Sequence, residues 1–351
     1  MPLQMIRNDI TKVKADIIVN TANTEPCFFA GTDSAIYKAA GKEALLEKRR
    51  ELGHIDPGNI GVTPAFALHA RYIIHAVSSP WKDGNHGEEL ILRNCYRKSL
   101  EKALELDCKS IAFPLLSSGN NGLPKGRALQ IALSEISDFL LMHNLHVYLV
   151  VFDKEAFILS EQLFDKVTSF IDERYVDEVG LSMNESEYKP RLREVPAPGW
   201  LPADKPKASE SIFHHKVEET TFKQGALEKE PDFDFDTHLG ETFQQRLLRL
   251  VDEHQMTDVE VYKKANIDRK LFSKIRCNVD YKPTKKTAVA LAVALELDLD
   301  EMKDLLSRAE LALSPSSRFD LIVEYFVLHG IYDIHTINSV LFKYDQQTLG
   351  V

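Results

Sequence analysis

The sequence predicts an α/β layer structure with a largely parallel sheet, followed by an all-helical region. Three observations lead there. Between residues 1 and 175, short β-rich apolar runs alternate with longer stretches of helical period. Beyond residue 239 only helical period remains. Between these regions, residues 176–238 hold Pro190, Pro196, Pro198, Pro202, Pro206 and Pro231 and no sustained period.

The strand runs are "ADIIVN" (15–20), "YIIHAV" (72–77), "SIAFPLL" (110–116) and "VYLVVF" (147–152). Their short length and β-branched content fit buried strands. Helical period covers 33–52, 88–106 and 125–143, with Asp33 placed to cap the first of these. The segment 176–238 carries fourteen acids against eight bases and little apolar surface, so it reads as an extended or disordered linker. Trp200 and "FDF" (233–235) are its candidates for local docking. In residues 239–351 a series of helices is expected, with Asp258, Asp268, Thr284, Asp300 and Ser316 at the N-cap positions.

Composition narrows the function. A net charge of -10 excludes a generic polyanion binder for the whole chain. No apolar run reaches membrane-spanning length, and no basic-then-apolar leader opens the chain, so no membrane partner is expected. Cys27, Cys95, Cys108 and Cys277 are scattered without a CxxC pair, which fits a reducing cytoplasm and no disulfide framework.

Ligands of open α/β sheets sit beyond the carboxyl ends of strands. Three such loops have unusual composition. The first contains Asn20, Asn23, Gly31 and Asp33; the second reads "SSGNNGLPKG" (117–126); the third begins Asp153-Lys154. In the second, Ser117, Ser118, Gly119 and Gly122 can turn successive N–H groups toward one anion, and a helix starts near Lys125. A plain glycine turn accounts for the same residues. His75, inside a strand, reads as structural. Asp83, His86 and Glu88 in "DGNHGEE" read as a polar loop rather than a metal site, and "RNCYRKSLEK" (93–102) as a solvated helix face.

Residues 1–165 resemble a macrodomain. The matching pieces are "NDIT" (8–11), "DIIVNTAN" (16–23), "GTDSAIYKAAG" (31–41), "ARYIIHAVSSPW" (70–81) and "PLLSSGNNGLP" (114–124), in family order and spacing. The resemblance implies a three-layer α/β/α fold with a mixed, largely parallel sheet, and ADP-ribose or an ADP-ribosylated target as ligand. It places Asp9, with Ile10 beside it, at the adenine amino group and Phe152 near the adenine ring. It places Ser118, Gly119, Asn120, Asn121 and Gly122 around the pyrophosphate. It implies Asn23 and Asp33 as the pair at the distal ribose, catalytic in hydrolytic members, with no metal or cofactor required. A carboxylate there would stabilise positive charge at the anomeric carbon or orient a water, and an amide would fix the sugar.

Two departures stand out. Hydrolytic members carry several glycines just before the Gly-x-Asp segment, where this chain has Phe28, Phe29 and Ala30. Phenylalanine resists positive φ and blocks close backbone approach. Asn121 stands where an aromatic commonly packs beside the distal ribose. Either Phe28 or Phe29 supplies that ring from the opposite loop, or both turn inward as core.

The segment "DVEVYKKANIDRKLFSKIRCN" (258–278) pairs two short helices around Asn266-Ile267 and resembles a helix-turn-helix of the lambda-repressor and Cro type; the resemblance spans about 241–310. The window from Lys263 to Lys286 has nine basic residues against Asp268 and Asp280, a local +7. Arg269, Lys270, Ser273 and Lys274 fall on the groove-facing side, which points to duplex DNA and a homodimer, or alternatively to a protein-interaction module. Three functions stay open: a hydrolase of ADP-ribosylated targets or acyl-ADP-ribose, a non-catalytic ADP-ribose sensor, and a tether to a modified partner. Asn23 and Asp33 favour the first; Phe28-Phe29-Ala30 and the fused regulator-like domain favour the second.

Overall fold

The computed structural model describes residues 2–151, 163, 165–172 and 240–350. Phe152, the Asp153-Lys154 loop and the whole segment 176–238, including Trp200 and "FDF", lie outside the described residues.

Six strands, β1 (Leu3–Ile6), β2 (Ile17–Ala22), β3 (Ile60–Pro64), β4 (Tyr72–Val77), β5 (Ser110–Pro114) and β6 (His146–Val150), form one sheet in the order β1-β6-β5-β2-β4-β3. Every pairing is parallel except β3 with β4. Alternation along the strands sends Ile17 and Val19 to one face and Ile18 to the other. The first face packs under α3 (Glu88–Glu105) and α4 (Lys125–Met142), and the second under α1 (Thr32–Ala40) and α2 (Lys42–Glu51). This is the expected three-layer α/β/α arrangement with a mixed sheet.

Strand pairing opens a crevice between β2 and β5. The β2–β5 ladder stops at Ile18–Ala112, whereas β2–β4 runs on to Ala22–Val77 and β5–β6 to Pro114–Val150. The chain leaves β2 toward one side of the sheet and β5 toward the other, so the parting lies at the topological switch point.

The edges and breaks differ from the expectation. β1 and β3 fall outside the four expected strands; both are edge strands, and "LQMI" and "IGVTP" are interrupted by a polar residue or by Gly, Thr and Pro, so neither reads as an apolar run. The single helix expected over 33–52 is two, broken at Gly41, whose φ of +103° ends α1 and starts α2. Asp33 is not an N-cap: Gly31 holds that position at φ +80°, and the Asp33 carboxylate turns inward.

Helix α5 (165–172) and helices α6 (Phe243–Glu253), α7 (Asp258–Lys264), α8 (Arg269–Cys277), α9 (Lys285–Ala294), α10 (Leu299–Ser307), α11 (Arg318–Leu328) and α12 (Ile334–Lys343) share a second core. Its centre is α9, buried all along from Thr287 to Ala294. Asp268 and Thr284 cap their helices as expected. The other caps are Thr257, Asp298 and Ser317 rather than Asp258, Asp300 and Ser316. The reason is local: Thr257 and Asp298 each precede a glutamate by three residues, completing capping boxes with Glu260 and Glu301. Among the described residues no helix is long and apolar enough to cross a membrane.

The described parts of 1–178 and 241–351 pack as one compact unit. The α7–α8 turn covers the open edge of β1. Asn266, held at φ +53°, accepts from the Leu3 N–H (2.8 Å) and donates to the Leu3 carbonyl (2.9 Å), as a neighbouring strand would. Lys263 donates to the Leu141 carbonyl at the end of α4, and Phe342 packs against the α3–α4 side of the sheet.

Truncating Asn266 leaves both Leu3 groups unpaired in a buried place. Asn266→Ala is expected to lower unfolding stability by about 1–3 kcal/mol in a denaturant titration. A cost within error of zero would show that the turn does not secure this edge.

Candidate functional site

A cavity of about 550 Å³ lies over the parting of β2 and β5. Its lining joins four strand ends: Asn8, Asp9 and Ile10 after β1, Asn23 after β2, Ser117 to Asn121 after β5, and Val150 and Val151 at the end of β6. The N-terminus of α1 closes one side through Phe29, Ala30, Gly31, Thr32 and Asp33.

At the β1 end, Asp9 starts a short 3-10 turn (Ile10–Lys12). Its Oδ1 accepts from the Thr11 N–H (3.0 Å) and the Thr11 hydroxyl (2.7 Å). Its other carboxylate oxygen remains as an acceptor on the cavity wall. Ile10, almost wholly buried, supplies apolar floor.

Over β5, the loop is held from below. Leu116 N–H donates to the hydroxyl of the buried Tyr96, and the Ser118 hydroxyl to the Leu115 carbonyl. Gly122 donates to Gly119 and Leu123 to Ser117. Asn121 is fixed at both ends: its carbonyl accepts from Trp81 N–H (2.7 Å) and its amide donates to the Ser78 hydroxyl (2.8 Å). Ser117 (φ +65°) and Gly122 (φ +74°) make the turn. Among the described residues the N–H groups of Ser118, Gly119, Asn120 and Asn121 have no backbone acceptor, and they stand beside the cavity as a row suited to an anion.

At the β2 end sits Asp33, only 3% exposed. Its Oδ1 accepts from Asn20 Nδ2 (2.7 Å), and its Oδ2 from the Phe29 N–H (2.8 Å) and, more loosely, Asn23 Nδ2 (3.4 Å). Burial pushes its pKa up, while the Asn20 and Phe29 donors and the charge of Arg49 pull it back. With Nδ2 turned to Asp33, Asn23 Oδ1 meets no donor among the described residues and can receive a hydroxyl or a water. Beneath, Asn20 Nδ2 also approaches His75 Nδ1 (3.3 Å), and His75 Nε2 meets the Thr63 hydroxyl (3.0 Å). A neutral ring with its proton on Nε2 satisfies both contacts. Burial pushes the His75 pKa down to about 3, so the ring stays neutral.

Arg49 was missed in the sequence, where "EKRREL" looks like a solvated helix end. It is 1% exposed, and its guanidinium donates to the carbonyls of Asn23 (2.9 Å), Thr24 (3.0 Å) and Gly53. This fork fixes the backbone that carries Asn23.

Three expected ligand residues lie off the cavity lining. Asn20 is fully buried below it, spent on Asp33 and His75. Phe28 packs on Tyr37 (5.1 Å between centroids) beneath the Lys42 ammonium. Gly122 shapes its loop without lining the cavity. The two phenylalanines therefore part company: Phe29 lines the cavity and is 58% exposed. Asp83, His86 and Glu88 do gather, but Glu88 is engaged by the Lys82 and His86 N–H groups and Asp83 by that of Asn85. These acids cap a loop.

On α8, Arg269, Lys270, Ser273 and Lys274 are all exposed. The basic window is partly neutralised by acids outside it: Lys264 pairs with Glu296, Arg276 with Asp258, Lys282 with Glu310 and Lys285 with Asp320.

Two consequences are measurable. Arg49→Met strands three carbonyls, so it is expected to lower stability by about 2–3 kcal/mol and to loosen the Asn23 loop, read as faster amide exchange at residues 23–25. His75 in the unfolded chain titrates near 6.5, well above its folded value. Its contribution is complete above that pH and is lost as the pH falls toward 3, by about 1.4 kcal/mol per pH unit for one proton. His75→Phe should flatten that part of the stability–pH curve; an unchanged slope would exclude the buried neutral ring.

The family model for the Macro domain matches residues 19–132. A "Macro domain-containing protein" of Methanosarcina mazei is 41% identical over 156 residues, 44% of this chain and 83% of that protein. An "O-acetyl-ADP-ribose deacetylase" of Escherichia fergusonii is 39% identical over 158 residues, 44% of this chain and 89% of that protein. An Oceanobacillus iheyensis macrodomain solved with ADP is 34% identical, with a TM-score of 0.44 over 48% of this chain and 92% of that one. On its identity to the M. mazei protein across most of that protein's length, the chain belongs to the Macro domain family.

Proposed function

We propose that this protein binds ADP-ribose in the cleft and hydrolyses an acyl ester carried on its distal ribose. The observation that carries this reading is the order of chemical groups along the sheet's carboxyl edge. Asp9 follows β1, the donor row follows β5, and Asn23 follows β2. β1 and β2 are three strand spacings apart, about 14 Å, which suits an extended nucleotide with a second sugar. An acceptor for an exocyclic amine, N–H groups for a diphosphate and an amide for sugar hydroxyls then lie in the order ADP-ribose requires. The positive end of α1, capped only by Gly31 backbone, faces the same anion.

The chemistry follows from the β2 end. Asn23 Oδ1 holds a water or ribose hydroxyl while Asp33 fixes the amide from behind. Both Asp33 oxygens already accept hydrogen bonds, so Asp33 acts by orientation and charge, and a phosphate oxygen of the ligand helps activate the water. The deacetylase name of the E. fergusonii relative supports an ester substrate.

Calorimetry with ADP-ribose and turnover of O-acetyl-ADP-ribose test this together. Binding and turnover are expected, with Asn23→Ala lowering turnover by about a hundredfold and affinity far less. Binding without turnover would leave a sensor; no binding would reject the ligand.

We also propose duplex DNA as a partner of the helical domain, on the exposure of Arg269, Lys270, Ser273 and Lys274 along one side of α8. Replacing Arg269 and Lys270 together by alanine should weaken binding and reduce the salt slope by about 2. Binding that ignores salt would count against it.

A further inference from the structure

The distal end of the cleft contains one feature that sugar recognition leaves unused. Phe29 is 58% exposed on the cavity wall, beside Asn23 and Asp33. A ring exposed on a cavity wall gains free energy when an apolar group of a ligand covers it. Its neighbour Phe28 shows the alternative, resting on Tyr37 with Lys42 above. No aromatic partner pairs with Phe29 among the described residues.

Its placement is nonetheless fixed. The Phe29 N–H donates to Asp33 Oδ2 (2.8 Å), tying the backbone to the carboxylate behind Asn23. The next residue's carbonyl, on Ala30, meets Asn120 Nδ2 at 3.5 Å across the cleft. Asn121, on the facing loop, is committed to Ser78 and Trp81, so that loop presents amides rather than apolar surface. Phe29 is therefore the apolar ring offered to whatever the distal ribose carries, with Ala30 beside it.

The geometry points to Phe29 as the residue that selects the acyl group: the preferred ligand is an ADP-ribose ester whose acyl chain is apolar and longer than acetyl. This rests on the proposed ADP-ribose reading. A charged or strongly polar substituent leaves the ring wet, whereas an alkyl chain covers it. The reaction is ester hydrolysis: water oxygen bonds to the acyl carbon, the bond from that carbon to the ribose oxygen breaks, and the ribose oxygen leaves as a hydroxyl with one water proton. The products are the free carboxylic acid and ADP-ribose.

The test measures binding apart from turnover. Full-length protein is titrated with ADP-ribose and with two non-hydrolysable analogues bearing an acetamide or a butyramide on the distal ribose. Two added methylenes against the ring should tighten binding about tenfold. That preference should fall to near parity in Phe29→Ala and persist in Phe29→Leu, which keeps an apolar side chain and checks that loss is not misfolding. Equal affinities in the wild type, or a preference that survives Phe29→Ala, overturn the inference while ADP-ribose binding stands. Failure of wild-type protein to bind ADP-ribose sinks the underlying reading and this inference with it.

Discussion

The buried carboxylate of Asp33 is the constraint on which the cleft is built. A carboxylate this far from water is tolerated only with donors aimed at it, and the chain supplies them from three places. Asn20 comes from inside β2, Asn23 from the end of that strand, and the Phe29 N–H from the loop before α1. Because Asn20 is shared with His75, and His75 with Thr63, the demand runs across β2, β4 and β3. Sheet, loop and helix are thus held in one register by a group at the site itself. Arg49 adds the matching positive charge and grips the carbonyls behind Asn23.

The same economy appears at the far edge of the sheet. β1 would present unpaired N–H and C=O groups, and the Asn266 side chain satisfies a pair of them. β1 runs directly into Asn8 and Asp9, while Arg7 between them pairs with Asp345 and lies over Phe342. The β1 side of the cleft is therefore continuous with the surface on which the helical domain rests. The turn that meets β1 also leads into α8, so the proposed ligand site and the proposed DNA-facing helix share one structural neighbour.

Much of this was legible in the sequence, for reasons that particular residues make clear. β2, β4, β5 and β6 are central, covered on both faces, and so nearly continuous apolar runs. Asn23, Asp33 and the 117–122 loop stood out by composition at the ends of strands that could be read, and Asp9 through the macrodomain resemblance. What escaped depended on partners distant in the chain. Arg49 looks like any helix-end cation until the 23–24 backbone is folded over it. Asn20 looks like a ligand residue until His75 and Asp33 close on its amide. The basic window loses charge to Asp258, Glu296, Glu310 and Asp320, which no local count includes. The fates of Phe28 and Phe29 could not be separated either, since Tyr37 and Lys42 decide which ring is core.

A crystal structure of the full chain soaked with ADP-ribose tests the account most directly. It should show the adenine amino group on the second oxygen of Asp9, the diphosphate on the N–H groups from Ser118 to Asn121, and a distal ribose hydroxyl on Asn23 Oδ1 with Phe29 alongside. A ligand bound in the reverse direction, or seated away from Asn23 and Asp33, would contradict it.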